Sequence, residues 1–206
     1  MTRGQPTPTL TKEVLVYGAS TFGHVVRALV GDCGHKFAGF IDDRIQGPEI
    51  VGNLETLLSR SLAGDFEVAM AIGYRHLDAR LALFHRLHSA GYRFATLVHP
   101  AAYAAGSARL GEGALLMAHA SVDTDAVLGD LVVLWPGAIV SHHSEVGCNT
   151  FLAPGAIVCG ITRVGTSCFI GAGAVITDGV SVSDGSFVKA SSCYSGGPLA
   201  RARTSA

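Results

Sequence analysis

The sequence lacks the features of several common protein classes. No run of about 18 apolar residues occurs, so we expect no membrane-spanning helix. The formal net charge is only -1, and basic side chains are not interleaved with aromatic ones, which argues against nucleic acid or an anionic membrane as a partner. The polar segment Met1 to Lys12 has no apolar core of the kind that a signal peptide needs. We therefore expect a cytoplasmic protein.

The cysteines are few and are not paired along the chain. None of the five forms a Cys-x-x-Cys motif, and most lie within the repeat described below. They are Cys33, Cys148, Cys159, Cys168 and Cys193. A disulfide framework or a zinc site usually has closer, regular spacing, so we expect reduced, inert thiols and no bound metal.

The sequence does contain an unbroken period of six residues from Leu110 to Tyr194. Every sixth position is aliphatic until the last, which is aromatic: Leu110, Leu116, Val122, Leu128, Leu134, Val140, Val146, Leu152, Val158, Val164, Ile170, Ile176, Val182, Val188 and Tyr194. The positions two residues earlier are mostly small: Ala108, Ala114, Ala120, Ala126, Val132, Ala138, Ser144, Thr150, Ala156, Thr162, Cys168, Ala174, Val180, Ser186 and Ser192. This pattern predicts a hexapeptide β-helix.

In such a β-helix, three hexapeptides, or roughly 18 residues, wrap once around a triangular prism. The aliphatic side chains point inward, and successive coils pair as parallel strands about 4.8 Å apart. Residues one coil apart should therefore lie on top of one another, and the repeat predicts about five coils. The spacing does not determine the hand of the coil, although the general rule for parallel crossovers favours a right-handed one.

Residues 13–99 have a different pattern, in which apolar strands alternate with helices. We predict strands at Glu13–Tyr17, Phe37–Ile41, Val68–Ile72 and Arg93–Val98, and helices from the turn at Gly18 to Val30 and from Leu77 to Ser89. Together they indicate a small Rossmann-like parallel sheet. Because His99-Pro100 interrupts the chain, we divide it into a flexible tail (1–12), an α/β domain (13–99), a β-helix (100–195) and a C-terminal tail (196–206).

The glycine-rich turn at Gly18 is a candidate phosphate site. Backbone N–H groups between a strand and a helix can bind a pyrophosphate, and an acidic residue after the second strand can accept hydrogen bonds from a sugar hydroxyl. Asp42 and Asp43 stand at that place. Thr21 within the turn, and a sheet of only four predicted strands, make a nicotinamide dinucleotide a weaker match than a nucleotide-sugar. The alternative is a tight turn beside a solvated acidic pair.

A histidine pair in the repeat is the second candidate site. His142 and His143 fall at a corner of the predicted prism, and Gly160 follows His142 by one coil. An imidazole titrates near neutral pH and can take a proton from an amine or a hydroxyl. A backbone N–H one strand spacing away can stabilise the oxyanion of an acyl transfer. Two alternatives stay open: solvated corner histidines, or a zinc site formed together with His119.

Several short motifs follow one another in a distinctive order. They are Tyr17-Gly18-Ala19-Ser20, Gly39-Phe40-Ile41-Asp42-Asp43, Ala71-Ile72-Gly73, His99-Pro100, the unbroken hexapeptides and Gly196-Gly197-Pro198-Leu199-Ala200-Arg201. With them, residues 13–200 resemble the bacterial nucleotide-sugar acetyltransferases of the sialic-acid O-acetyltransferase type, which include the N-acetyltransferases of 4-amino-4,6-dideoxy-sugars. The resemblance implies that the β-helix is left-handed.

The resemblance also implies an assembly and a set of ligand-binding residues. It implies a homotrimer with active sites between subunits, a nucleotide-sugar on the N-terminal domain, and acetyl-CoA in the groove between neighbouring β-helices. In the implied catalytic set, His142 is the general base with His143 beside it, and Gly160 lies at the acetyl carbonyl. The implied coenzyme-binding residues are Phe151, Gly160, Ala172 and Ala190, and the implied substrate-binding residues are Ser20, Thr21, Phe22, Asp42, Asp43 and Gly73.

Four positions depart from the pattern of that family. His143 stands where Glu or Asp usually follows the base, Phe151 where His is frequent, Trp135 where Asn is frequent, and Thr21 where the nucleotide turn has Gly. The predicted function is acetyl-CoA-dependent N-acetylation of a nucleotide-linked amino-sugar or amino-dideoxy-sugar. The alternatives are O-acetylation of a sialic acid and a non-catalytic trimer that binds a nucleotide-sugar.

Overall fold

The N-terminal part of the chain is a parallel sheet flanked by helices. A computed structural model describes residues 11–60 and 63–196. The strands are β1 (Glu13–Tyr17), β2 (Lys36–Ile41), β3 (Ile50–Gly52), β4 (Glu67–Met70) and β5 (Arg93–Phe94); the helices are α1 (Thr21–Asp32), α2 (Leu54–Arg60) and α3 (Leu77–Ser89), the last preceded by a 3-10 turn at Tyr74–His76. The strands lie in the order β3-β2-β1-β4-β5, which is that of a doubly wound sheet.

The sheet has five strands, so the predicted count of four is wrong. The additional strand, β3, is only three residues long and shows no alternation of apolar and polar residues that a sequence pattern could reveal. The third predicted strand, Val68–Ile72, runs instead from Glu67 to Met70. Because β3 and β5 are the edge strands, β1, β2 and β4 lie in the interior of the sheet, and their carboxyl ends lie next to one another.

The last predicted strand of this sheet, Arg93–Val98, is divided between the two parts of the protein. Arg93–Phe94 pairs with β4, whereas Leu97–Val98 pairs with Leu115–Leu116 of the β-helix. The stacked coils therefore begin before His99-Pro100. The division of the chain at residues 99 and 100 stays a prediction, and residues 1–10 and 197–206, with most of both predicted tails and the motif after Gly196, lie outside the described residues.

The turn between β1 and α1 depends on two glycines. Gly18 has a φ of +106°, and a Cβ atom there would lie 2.9 Å from the carbonyl oxygen of Ala71. At Gly23, a Cβ atom would collide with the carbonyl oxygen of Gly18. The first turn of α1 can therefore pack directly on the end of β1, and the space in front of the turn stays open.

The rest of the described chain forms a three-faced parallel β-helix of two-residue strands. The first face contains β6 (Leu97–Val98), β9 (Leu115–Leu116), β12 (Val133–Leu134), β15 (Phe151–Leu152), β18 (Phe169–Ile170) and β21 (Phe187–Val188). The second contains β7 (Tyr103–Ala104), β10 (Ser121–Val122), β13 (Ile139–Val140), β16 (Ile157–Val158), β19 (Val175–Ile176) and β22 (Cys193–Tyr194). The third contains β8 (Arg109–Leu110), β11 (Val127–Leu128), β14 (Glu145–Val146), β17 (Arg163–Val164) and β20 (Ser181–Val182).

The core of the β-helix is the predicted double column of aliphatic and small side chains. Val122, Val140 and Val158 stand in register on successive coils, and each is completely buried. The small residues two positions earlier, such as Ala138 and Ala156, belong to the same buried cluster. Burying one such aliphatic side chain contributes about 1.5–3 kcal/mol, so the repeat alone accounts for most of the cohesion of this part.

The first face of the β-helix supports the N-terminal sheet. Its outward side chains Leu115, Val133 and Phe151 are buried in one cluster with residues of β1, β2 and α1. Higher on the same face, Phe187 is 64% exposed, so the N-terminal part covers only the lower coils. Among the described residues, none of the helices has the length and apolar character required to span a membrane. The cytoplasmic location stays a prediction.

Candidate active site

His142 and Gly160 meet at the corner between the second and third faces. His142 and His143 form the turn between β13 and β14, and Gly160 occupies the same turn one coil further on. A Cβ atom at Gly160 would lie 2.7 Å from both Nε2 and Cε1 of His142, so the imidazole ring rests on the Cα atom of this glycine. Any larger residue would displace the ring.

The backbone around Gly160 leaves one donor without a partner. The N–H of Ile161 donates to the carbonyl oxygen of His142, and the carbonyl oxygen of Gly160 accepts from the N–H of Gly179. The N–H of Gly160 itself donates to no acceptor within the described segments. An imidazole and an unpaired backbone donor therefore stand side by side, an arrangement that could serve an acyl transfer.

His143 contacts both His142 and a carboxylate of the preceding coil. The Nδ1 atoms of the two histidines are 3.2 Å apart, and Nε2 of His143 is 3.5 Å from Oδ2 of Asp125. Glu145, the nearest acid in sequence, instead pairs with Arg163 at 3.3 Å. The side chain of His143 is thus turned toward His142.

The predicted coenzyme residues other than Gly160 do not lie at this corner. Ala172 and Ala190 follow β18 and β21, at the corner between the first and second faces. Phe151 is 1% exposed and packs against the N-terminal part, where its ring lies 6.0 Å from that of Phe22. Within one chain the structure therefore brings together His142, His143 and Gly160 and leaves the other three residues apart from them.

A cavity of about 620 Å³ lies at the carboxyl ends of β1, β2 and β4. This is the crevice in which doubly wound sheets bind ligands, and its volume suits a nucleotide-sized molecule. Four predicted substrate residues line it: Ser20, Asp42, Asp43 and Gly73. The other two do not. Phe22 stacks on Trp135 with ring centroids 5.5 Å apart, and Thr21 is an exposed residue at the start of α1.

Both carboxylates of the cavity already accept hydrogen bonds from the protein. Asp42 accepts from the backbone N–H groups of Ala19, Arg44 and Ile45, each at 2.8 Å. Partial burial acts to raise the pKa of Asp42, but these hydrogen bonds outweigh it and hold the pKa below its usual value. The sequence predicted a sugar-binding acid here; the observed contacts give Asp42 a role in shaping the loop after β2.

Asp43 joins β1 to α2. It accepts hydrogen bonds from the hydroxyl of Tyr17 and from the backbone N–H of Leu54, the first residue of α2. Burial, together with the hydrogen bond to Asp43 and the negative charge of that residue, raises the pKa of Tyr17. The hydroxyl of Tyr17 therefore stays protonated and serves as a donor at the floor of the cavity.

Sequence reasoning missed the basic side of the cavity. Arg44, His76 and Arg86 also line it, and neither arginine forms an ion pair among the described residues. The signal was present in α3, where Ala79, Ala82 and Arg86 recur at intervals of three and four residues. Ala79 and Ala82 leave space on that face of α3, and the positive charge of Arg86 favours an anion there.

Arg80 joins α3 to the β-helix through hydrogen bonds, a role that the sequence analysis did not predict. Its side chain is completely buried, and Nη1 donates to the carbonyl oxygen of Leu131 and to Oδ1 of Asn149, at 2.9 and 2.7 Å. The guanidinium group lies 4.9 Å above the ring of Phe151. Burial lowers the pKa of Arg80 to about 9, which still leaves the group charged at neutral pH. A buried cation thus holds the two parts of the chain together.

The alternative zinc site is not assembled in the structure. His119 lies in the turn between β9 and β10, at the corner between the first and second faces, whereas His142 and His143 lie at the next corner. Across the described part of the chain, no group of three or more His, Cys, Asp or Glu side chains is arranged to hold a metal ion. The five cysteines are free thiols, and burial, with the nearby charge of Asp32, raises the pKa of Cys33 to about 11.

Comparison with known proteins finds relatives of both parts of the chain. Residues 13–87 match the PglD N-terminal domain family. The acetyltransferase domain of PglB from Neisseria gonorrhoeae is 29% identical, with a TM-score of 0.81 over 89% of this chain and 91% of that chain. The chain is therefore an acyltransferase that is similar to the hexapeptide-repeat nucleotide-sugar enzymes. No curated protein matches it by sequence.

Two further structures of such relatives contain ligands. The same PglB domain has been solved with acetyl coenzyme A, at 28% identity and a TM-score of 0.81 over 88% of this chain and 89% of that chain. A variant of perosamine N-acetyltransferase from Caulobacter crescentus, in complex with CoA and GDP-perosamine, is 25% identical, with a TM-score of 0.71 over 86% of this chain and 93% of that chain. The predicted resemblance to nucleotide-sugar acetyltransferases is confirmed, as is the predicted fold class of a Rossmann-like sheet followed by a left-handed β-helix.

The four residues that depart from the family pattern lie in two places in the structure. Trp135 and Phe151 both pack around Phe22, at the contact between the β-helix and α1. Thr21 precedes Phe22 at the start of that helix. Three of the four departures therefore lie where the two parts of the chain meet, and only His143 lies beside His142.

Proposed function

We propose that the protein transfers the acetyl group of acetyl-CoA to the amino group of a nucleotide-linked amino-sugar or amino-dideoxy-sugar, with His142 as the general base. The observation that carries this proposal is the contact between the His142 imidazole and Gly160, whose N–H has no acceptor among the described residues. Perosamine N-acetyltransferase, the 25% identical relative, is bound to CoA and GDP-perosamine, which supports the choice of both substrates.

In the proposed reaction, the acceptor nitrogen attacks the carbonyl carbon of the thioester, and a C–N bond forms. Nε2 of His142 takes the proton that the nitrogen loses. The N–H of Gly160 donates a hydrogen bond to the oxyanion of the tetrahedral intermediate. The intermediate collapses as the C–S bond breaks, and the proton passes from His142 to the CoA sulfur. The products are the N-acetylated sugar and free CoA.

The nucleotide part of the acceptor would bind in the cavity of the N-terminal domain, residues 13–99. The N–H groups of Gly18 and Ala19 already donate to Ile41 and Asp42, so a diphosphate would accept from the backbone N–H of Ser20 at the start of α1. Arg44 and Arg86, which also line the cavity, would offer positive charge. Asp42 and Asp43 hold the surrounding loops through their own hydrogen bonds. Residues 100–195 would then supply the acyl-transfer chemistry.

We also propose a homotrimer with its active sites between subunits. Ala172 and Ala190 lie at one corner of the prism, and His142 and Gly160 lie at another. One chain cannot present both sets to a single coenzyme molecule, but a neighbouring chain packed side by side can bring its own corner to the first. Light scattering at micromolar concentration should give three times the mass of the chain, and a monomer would contradict this proposal.

The activity is tested by measuring free thiol released from acetyl-CoA with a panel of UDP-, dTDP- and GDP-linked amino-sugars and with sialic acids. We expect turnover of at least one amino-sugar, with N-acetylation verified by mass spectrometry. In His142→Asn, turnover should fall by about 100-fold or more, while the dissociation constants of acetyl-CoA and of the sugar stay unchanged. His35→Asn, the same change in the N-terminal part outside the cavity, is the matched control.

The other outcomes of this panel separate the remaining alternatives. Turnover of sialic acids alone would replace N-acetylation by O-acetylation. Binding of a nucleotide-sugar without turnover of any acceptor would replace the enzyme by a binding protein. Wild-type turnover in His142→Asn would remove this residue from the mechanism.

A further inference from the structure

The corner that carries His142 contains two more polar side chains with a specific geometry. His143 and Asp125 are one coil apart in sequence and occupy the same position of successive turns, with φ angles of 57° and 55°. Nε2 of His143 is 3.5 Å from Oδ2 of Asp125, and Nδ1 of His143 is 3.2 Å from Nδ1 of His142. The three side chains form a continuous chain of contacts that ends above Gly160.

When both histidines are neutral, the donors and acceptors along these contacts have one consistent arrangement. A carboxylate only accepts, so a proton between Asp125 and His143, whose Oδ2 and Nε2 atoms are 3.5 Å apart, belongs to Nε2 of His143. A neutral His143 then has a bare Nδ1, which can only accept, and the proton between the two histidines belongs to Nδ1 of His142. Nε2 of His142, the atom that rests on Gly160, is left with its lone pair free.

From this geometry we propose that Asp125 and His143 are positioning residues that hold His142 in the tautomer with the proton on Nδ1 and the basic lone pair on Nε2. This inference rests on the proposed function, because it assigns a role in the same acyl transfer. With its Nε2–H facing Asp125, His143 presents an unprotonated Nδ1 that accepts from Nδ1 of His142. A chain of two imidazoles thereby replaces a carboxylate in direct contact with the base.

The same arrangement favours the charged form of His142 during the reaction. When Nε2 accepts the proton of the amine, the Nδ1–H of the imidazolium donates to Nδ1 of His143, whose Nε2 faces the carboxylate of Asp125 at 3.5 Å. The side chains of His143 and Asp125 are 60% and 53% exposed, so solvent screens the charge of Asp125. The effect on the rate should therefore be about tenfold, the lower end of what removing an orienting partner usually costs.

The backbone at this corner determines which substitutions are informative. Asp125 has a left-handed conformation that Asn and Gly adopt readily and Ala does not. Asp125→Asn removes the charge but keeps an acceptor, whereas Asp125→Gly removes both. Glu145→Gln is the matched control, because it removes a nearby exposed carboxylate that faces Arg163 and not the histidines.

A direct test reads the tautomer without any substrate. Long-range proton–nitrogen correlation spectra of the histidine side chains, with His142 assigned by its loss in His142→Asn, should give the Nδ1–H tautomer in the wild type. Asp125→Gly should convert His142 to a mixture of tautomers, and Glu145→Gln should leave it unchanged. An Nε2–H tautomer in the wild type, or an unaltered tautomer in Asp125→Gly, would overturn the proposal. This measurement stands even if no acceptor sugar is turned over.

A kinetic test identifies the route from Asp125 to the base. In the wild-type background, Asp125→Gly should lower kcat by about tenfold with little change in KM. In a His143→Glu background, where a carboxylate touches His142 directly, the same change should have less than about a twofold effect. Equal losses in the two backgrounds would mean that Asp125 acts on stability or binding and not through His143.

Discussion

In the β-helix, each buried side chain packs on a copy of its own position one coil away, as Val140 does on Val158. In the N-terminal sheet, the core joins residues that no spacing relates, such as Tyr17 of β1 with Ile41 of β2 and Met70 of β4. The first kind of core repeats a single rule, so its corners are free to carry functional side chains. The second kind forms its cavity from loops that follow several different elements, so the shape of the cavity depends on the conformation of each loop.

The difference also separates the two chemical tasks of the enzyme. The His142 corner is a substitution within a regular turn, where the same position holds Gly106, Thr124, Gly160 and Asp178 in other coils. The cavity is not a variant of a regular element, because Gly18, Asp42 and Arg86 come from three different segments.

The largest effect is expected from removing Arg80, which belongs to neither kind of core. Arg80→Ala leaves the carbonyl oxygen of Leu131 and the amide oxygen of Asn149 without a donor and opens a cavity next to Phe151. The free energy of unfolding should fall by about 2 to 3 kcal/mol, an estimate that allows for the unpaired Nε and Nη2 atoms that also disappear.

Denaturation in urea, followed by the fluorescence of the single tryptophan at the contact between the two parts, Trp135, provides the measurement. Arg75→Ala is the control, because Arg75 is exposed. A loss of stability in Arg80→Ala no larger than in Arg75→Ala would show that the two parts are held together by their apolar contacts alone.

The second prediction places a methyl group under the base. In Gly160→Ala, the new Cβ atom would lie 2.7 Å from Nε2 of His142, so the imidazole must leave its position. We expect kcat to fall by about 30-fold, with stability nearly unchanged, since an exposed ring can move at little cost. Gly106→Ala, at the same corner three coils earlier, has no atom within 4 Å and should keep wild-type kinetics. Equal rates in both variants would contradict the assigned position of the base.

The third prediction tests whether the two parts bind different ligands. Arg86→Gln should weaken binding of the nucleotide-sugar by about tenfold, because one charge-assisted contact to a phosphate is lost. The affinity for acetyl-CoA should not change. Isothermal titration calorimetry with each ligand gives both numbers, with Arg93→Gln as a control of equal charge outside the cavity. Parallel losses for the two ligands would mean that they share one site.

The fourth prediction concerns the acid side of the stability curve. The pKa of Asp42 is lowered in the folded state, so this carboxylate stabilises the fold above the usual carboxyl pKa of about 3.9 and loses that effect as pH falls through the folded value. In Asp42→Asn, the amide NH2 would face a backbone N–H, and stability at pH 7 should drop by about 1 kcal/mol.

The difference between wild type and Asp42→Asn should shrink as pH falls below the usual carboxyl pKa and vanish below the lowered pKa of folded Asp42, where both side chains are neutral. Thermal denaturation at several pH values measures it. Asp65→Asn, at an exposed position, should show no such convergence. A difference that is independent of pH would assign the effect of Asp42 to packing and not to its charge.

Several features of the fold and of the candidate site could be predicted from spacing in the sequence. The β-helix, its core columns and the meeting of His142 with Gly160 all follow from one spacing that the sequence displays openly. The contact between His143 and Asp125 obeys the same spacing, so the signal that could have revealed it was present. Helix α3 was predicted with its observed bounds, because its apolar residues follow a helical period.

The amino-acid sequence by itself determined the periodic part of this protein, because in a β-helix the partner of every residue is set by a constant number of positions along the chain. Only the tertiary structure decided the strand β3, the transfer of Leu97–Val98 to the β-helix, and the exclusion of Phe22 from the cavity. It also decided the burial of Arg80 against Phe151. These contacts join segments that are far apart in sequence and follow no repeat, so they depend on how two separately formed surfaces fit together.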